Sequence, residues 1–263
     1  MSREIVFELC AESVEACVAG QHGGADRIEL CTALIEDGLT PSYGLVRVVL
    51  DRCTLPVHVL VRPRAGDFLY SDAEFAVMEE DIRHLKTMGV SGFVIGILEP
   101  DATIDISRTR RLVELADPFE VTFNRAFDYT VDIERALEDV VAAGCRRILT
   151  AGGEEDVVAG AATLARLVKQ AEGRVEIAVG GGLRIEDAAE LAVTTRAKHF
   201  HGSLRQSDTA VLAGADGGNG IFSPGYISPE DISLGYPGAL GASRVRVVES
   251  DDIRALVTRL RYS

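Results

Sequence analysis

The chain has 263 residues, 47% of them hydrophobic and 26% charged, with a net charge of −14 and a pI near 4.8. That acidity excludes a general nucleic-acid binder, which carries a basic field. The start, MSREIVFELC, lacks the regions of a signal peptide, no apolar run approaches the ~20 residues of a membrane span, and the five cysteines (Cys10, Cys17, Cys31, Cys53, Cys145) include no CxxC pair, so a soluble cytoplasmic protein with reduced thiols is expected.

Strand-like and helix-like segments alternate. EIVFELC (4–10) reads as a strand and is followed by a helix over 12–21; RIELC (27–31) is the second strand, with a helix over 44–53. VHVLVR (57–62) leads into a helix near 72–88, where Phe75, Met78, Ile82 and Leu85 share one face. GFVIGIL (92–98), EVTFN (120–124), RRILT (146–150), VEIAVG (175–180) and KHFHGS (198–203) complete eight strands, separated by helical runs near 105–115, 131–143, 157–172 and 185–193. Near-continuous apolar strands predict a parallel sheet covered on both sides. Eight such units predict an α/β fold of the TIM-like (β/α)8 barrel type, a single domain over 1–263, ahead of a doubly wound open sheet. The Gly- and Ser-rich stretch 206–244 breaks the rhythm and reads as a loop, a lid or an oligomerisation segment. SRVRVVES and DDIRALVTRL then give an extended piece and a closing helix.

Alternation along a strand puts Glu8 with Cys10, and Glu29 with Cys31, on consecutive strands ~4.8 Å apart. In a closed barrel the last strand meets the first, which brings His201 towards Cys10. Two soft thiolates with an imidazole suit copper(I); the competing reading is that the cysteines pack as small hydrophobes. Cys17, Cys53 and Cys145 read as packing residues. His22 and His84 read as solvent-facing, and His58 as a satisfied core histidine.

A second constellation suits an anion. The turn Gly180, Gly181, Gly182 ends strand seven and Ser203 ends strand eight, where barrels of this kind hold phosphate on backbone N–H groups. Arg62, Arg64 and Arg125 can add bidentate contacts. The alternative is that the glycines only turn the chain and these arginines neutralise Glu8 and Glu29. For proton transfer the candidates are Glu8, Glu29, Asp67 and Asp128; Asp67 and Asp128 each follow an arginine by three residues, a spacing that also suits simple salt bridging. The stretch VTFNRAFD (121–128) thus crowds Asn124, Arg125 and Asp128 at the mouth end of an apolar strand.

GADRIELC (24–31), GLTPSYG (38–44), RPRAGDFLYSDAEF (62–75), FNRAFD (123–128) and HGS (201–203) together resemble the CutC-type copper homeostasis proteins, in order from about residue 8 to 205. The resemblance implies a cytosolic TIM-like barrel, a homo-oligomer (dimer or higher), with Cys10, Cys31 and His201 at the family's cysteine and final-strand histidine positions. Arg62, Arg64, Asp67, Arg125 and Asp128 also match. Asn124 stands where the family usually has histidine, and Asn neither binds copper well nor shuttles a proton near neutral pH. Ala65 and Ala151 stand where the family often has Gly and Ser.

The expected function is copper(I) binding or handling, with metal ligands Cys10, Cys31 and His201. The alternative is a barrel enzyme, an isomerase, lyase or hydrolase acting on a small anionic or phosphorylated substrate. Its catalytic candidates are Glu8, Glu29, Arg62, Asn124, Arg125 and Asp128, and its anion-binding candidates Arg64, Gly180, Gly181, Gly182 and Ser203. A third reading is a scaffold that assembles through 206–244. Partners are expected to be a copper ion or small anion, with no nucleic acid and no membrane.

Overall fold

Each apolar run folds into a short strand, and the strands close on themselves. The computed structural model describes residues 5–204, 206–207 and 246–262. The strands are β1 (Val6–Ala11), β2 (Arg27–Leu30), β3 (Val57–Leu60), β4 (Gly92–Ile95), β5 (Glu120–Phe123), β6 (Arg147–Thr150), β7 (Glu176–Gly180) and β8 (His199–Gly202). They pair in parallel in chain order, and β8 returns to β1 to form a closed barrel. This is the TIM-like (β/α)8 architecture.

The helices are α1 (Val14–Gly23), α2 (Tyr43–Arg52), α3 (Asp72–Lys86), α4 (Ile106–Ala116), α5 (Ile133–Ala143), α6 (Ala161–Ala171), α7 (Ala188–Thr195) and α8 (Ser250–Arg261). Polar caps fix where they begin. The hydroxyls of Ser13, Ser42 and Ser71 and the carboxylates of Asp105 and Asp132 accept from first-turn amides. Ser71 and Glu74 form a reciprocal capping box. Among the described residues no helix is long and apolar enough to cross a membrane.

Alternation divides the wall into two faces. Phe7, Leu9, Ile28, Leu30, Phe93, Phe123 and Phe200 are fully or almost fully buried and form the outer layer under the helices. Packing there is close: a Cβ on Gly20 of α1 would come within 2.7 Å of the Leu9 side chain. The opposite parity, Glu8, Cys10, Arg27, Glu29, His58, Arg147 and His201, is also buried and fills the barrel interior.

At three of the boundaries that differ from the sequence pattern, a loop claims the chain. β3 stops at Leu60 since the β2–α2 loop pairs with Arg62: the Thr40 N–H donates to the Arg62 carbonyl at 3.0 Å. β4 stops at Ile95, and the Leu98 N–H turns to the Phe68 carbonyl at 3.0 Å. α6 begins at Ala161 rather than near 157. The Asp156 carboxylate holds the Val158 and Ala159 amides at 2.9 Å in a turn, and the Val157 N–H donates to Gly181 O.

The segment 206–244 lies outside the described residues except for Gln206–Ser207. That pair forms a two-stranded antiparallel ladder with Arg246–Val247. It belongs to a separate unit, residues 205–248.

Candidate functional site

The upper interior, at the carboxyl ends of β1, β2 and β8, collects the thiols, two carboxylates and an imidazole. Parallel register sets Glu8 opposite Arg27 and His201, and Cys10 opposite Glu29. Glu8 Oε2 accepts a short hydrogen bond from Arg27 Nε, and its other oxygen meets His201 Nδ1 at 2.9 Å. Glu29 Oε2 lies 3.9 Å from the same nitrogen and accepts no hydrogen bond from any described group. Cys10 Sγ is 3.7 Å from Glu29 Oε1 and 3.9 Å from Cys31 Sγ. One ligating atom from each of Cys10, Glu29 and His201 falls within 4.8 Å of the others. Leu60, Val94 and Leu34 wall the two thiols with apolar contacts.

Burial and mutual charge set the protonation of this cluster. Burial pushes Glu29 up to about 7, against the pull of the His201 charge and with the push of the Glu8 charge. Burial opposes ionised Glu8 too, yet Arg27 and the His201 hydrogen bond hold it well below the usual carboxylate range. For His201, burial disfavours the cation, but Glu29, Cys10 and Glu8 raise it well above an ordinary histidine. The Cys31 contact and burial push the Cys10 thiol well up. Two acids of one type thus differ in role, with Glu8 fixed as an anion and Glu29 poised near neutrality.

The opposite wall of the mouth, at the ends of β5, β6 and β7, is built differently. Arg125 Nε donates to Asp128 Oδ2 at 2.8 Å. The Asp128 carboxylate also accepts from the Thr150 hydroxyl, from the Ala151 N–H at 3.0 and 3.1 Å, and from the Gly153 N–H at 3.0 Å. Gly181 and Gly182 adopt φ of 121° and 72°, which L side chains rarely allow. A Cβ on Gly181 would stand 2.9 Å from Arg125 Cζ, so the guanidinium lies against the bare turn. Gly180 has a different reason to be glycine: a Cβ there would reach 2.9 Å from the His201 Cβ. Ser203 follows β8, half-buried, with no hydrogen bond to a described group.

Other candidates are engaged within the scaffold. Arg62 is buried and donates to the carbonyls of Glu36, Gly38 and Gly66 at 2.6, 2.9 and 2.6 Å. Arg64 ties Glu74 at 2.6 Å and Asp67 at 2.9 Å, bracing the β3–α3 loop. Asn124 caps the 3-10 helix Arg125–Tyr129, its Oδ1 accepting from the Ala126 N–H at 2.9 Å. The side chain presses on Gly96, where a Cβ would overlap Oδ1 at 1.9 Å.

The neutralising arginine comes from inside the wall, not from the mouth loops: Arg27, rather than Arg62, Arg64 or Arg125, pairs with Glu8. Arg147 does the same lower in the barrel, donating to Thr122 Oγ1 and Glu120 Oε2 at 3.1 Å each. The signal for Arg27 was its parity with Glu29, two residues on. His58 packs its ring on Gly92 and is buried, but its Nδ1 has no described partner, so it is not fully satisfied. Cys17, Cys53 and Cys145 are buried, and His22 and His84 are exposed.

With this geometry in view, the sequence matches the CutC family over residues 5–206. The chain belongs to the CutC family. A CutC family protein of Chromobacterium violaceum is 44% identical over 220 residues, covering 84% of this chain and 89% of that relative. One from Xylella fastidiosa is 45% identical over 209 residues, covering 80% and 78%. The crystal structure of a Streptococcus agalactiae CutC, named there for copper homeostasis, superposes with a TM-score of 0.72 at 32% identity, covering 76% of this chain and 98% of that one. Phosphoribosylanthranilate isomerase from Thermotoga maritima, at 12% identity and a TM-score of 0.55, covers 97% and 98% and shares the fold.

Proposed function

We propose that this CutC protein binds copper(I) in the reducing cytosol, with Cys10 and Cys31 as thiolate ligands and His201 as the third. The observation that carries this reading is the 3.9 Å between the two sulfurs, beside a buried imidazole. Metal–thiolate bonds run about 2.3 Å in zinc sites, so sulfurs this close can share one ion. Thiolates are soft donors of the kind copper(I) selects. The family's association with copper homeostasis, carried by the name of the Streptococcus agalactiae protein, points the same way. All five cysteines are free, as a reducing compartment keeps them.

The surrounding residues have work to do in this reading. Ligation needs the thiol proton removed. Glu29 Oε1 sits 3.7 Å from Cys10 Sγ and can take that proton. Glu8 engages His201 at Nδ1, which fixes the ring and would leave Nε2 as the nitrogen available to a metal, the usual job of a carboxylate behind a metal-bound histidine.

The test is an anaerobic copper(I) competition titration of wild type beside the Cys10→Ser/Cys31→Ser double variant. Tight binding that disappears in the variant is expected. Binding indifferent to both cysteines sinks the assignment. The second reading, a barrel enzyme for a small anionic substrate, draws on a different observation, the unengaged edge of Arg125.

A further inference from the structure

The β5–β7 side of the mouth holds a cation whose charge is only partly answered. Arg125 uses Nε alone on Asp128, and its two Nη groups donate to no described residue. Asp128 meanwhile receives three neutral donors, from Thr150, Ala151 and Gly153, besides Arg125. Its charge is therefore shared among four partners, and among the described residues the guanidinium pairs with no second carboxylate. The side chain is 38% exposed while Asp128 is 5% exposed, so the cation is the reachable member of the pair.

Next to that edge runs a backbone shaped for an oxyanion. Among the described residues the amides of Gly181 and Gly182 have no hydrogen-bond partner. Both residues hold positive φ, and the Gly182 position is exposed. Unpartnered successive amides in a turn are the donors from which anion sites are built. Close approach is enforced on two sides: a Cβ at Gly181 would meet Arg125 at 2.9 Å and Ala151 Cβ at 3.1 Å. Ser203 follows two residues after His201, the register partner of Gly180, and its hydroxyl has no hydrogen-bond partner among the described residues.

We propose that the Arg125 Nη edge, the Gly181–Gly182 amides and Ser203 bind the phosphoryl group of a small metabolite. A guanidinium fork and paired backbone amides suit the several oxygens of a phosphate better than the two of a carboxylate. Gly180 packs on the His201 Cβ, so the proposed site adjoins the β8 side of the thiol cluster. The site deepens the enzyme reading by giving it a substrate class, but phosphate binding requires neither turnover nor copper.

Inorganic phosphate titrated into the full-length protein, followed by amide and Arg side-chain NMR shifts, tests the site. Saturable shifts centred on Gly181, Gly182, Ser203 and the Arg125 side chain are expected in wild type, with acetate far weaker. Arg125→Gln should weaken binding about tenfold or more, the loss expected for a charge-assisted hydrogen bond. Arg125→Lys, which keeps a charge for Asp128, should weaken it less, and melting curves confirm that each variant is folded. The Cys10→Ser/Cys31→Ser protein should bind phosphate as wild type does, so failure here and failure of the copper assignment are separable. No saturable shift at these amides, equal affinity for acetate, or binding unchanged in both Arg125 variants overturns the proposal.

Discussion

The two walls of the barrel mouth combine the same kinds of group and leave opposite things unsatisfied. At β1, β2 and β8 the cation Arg27 is spent on Glu8, and what remains is two thiols, a buried Glu29 oxygen without a hydrogen bond from any described residue, and an oriented imidazole. At β5 to β7 the anion Asp128 is saturated with donors, and what remains is a guanidinium edge and bare amides. The first wall offers electron pairs; the second offers N–H groups. Burial sharpens the contrast, because Glu8, Cys10 and Glu29 are each at most 5% exposed whereas Arg125 reaches solvent. A soft cation fits the first wall and an oxyanion fits the second.

The largest expected effect comes from breaking the charge balance of the first wall. Glu8→Gln leaves Arg27 buried without its counter-ion and gives His201 a neutral amide in place of a carboxylate. Removing one partner of a buried pair costs about 3–5 kcal/mol, readable as a drop in the unfolding free energy in urea. A loss below about 1 kcal/mol would show that Arg27 is not held by Glu8.

Glu29→Gln should act in the opposite direction and depend on pH. Folding raises Glu29 from an ordinary value near 4.3 to about 7, so the folded state holds the proton more tightly. The wild-type residue therefore penalises folding above about pH 7, and the penalty fades as pH falls towards about 4.3. The shift corresponds to roughly 4 kcal/mol at most. The variant should gain melting temperature over wild type at about pH 8 and lose that advantage by about pH 4.5. An advantage that grew as pH fell would contradict the assignment of Glu29 as the acid poised near neutrality.

Asn124→Ala gives the smallest effect and marks the limit of the site. It removes a cap worth about 1 kcal/mol and should leave copper(I) affinity untouched. A marked fall in affinity would make Asn124 part of the metal site rather than a brace for the Arg125–Tyr129 turn.

Much of this was legible before any coordinates. Eight apolar strands spaced by amphipathic helices specify the barrel, and alternation alone placed Glu8 with Cys10 and Glu29 with Cys31. What alternation cannot supply is register between strands distant in sequence. Arg27 stands at the start of its strand, and only closure and the Glu8–Arg27 register reveal it as the partner of a buried acid. Arg62 and Arg64 looked free for a ligand for a related reason. Arg62 donates to loop carbonyls turned inward at Glu36, Gly38 and Gly66, the two glycines at positive φ, and no pattern of residue types announces where a carbonyl will point; Arg64 is taken by Glu74 and Asp67 in its own loop. Arg125 kept its outward edge because its near neighbours in the fold, Gly181 and Ala151, are small.

Copper K-edge X-ray absorption on anaerobically loaded protein tests the central claim, that the β1, β2 and β8 wall is the soft-cation side, most directly. The account predicts two sulfur scatterers at about 2.3 Å with one imidazole nitrogen in the first shell. A shell of nitrogen and oxygen alone, or one unchanged by Cys10→Ser/Cys31→Ser, would contradict it.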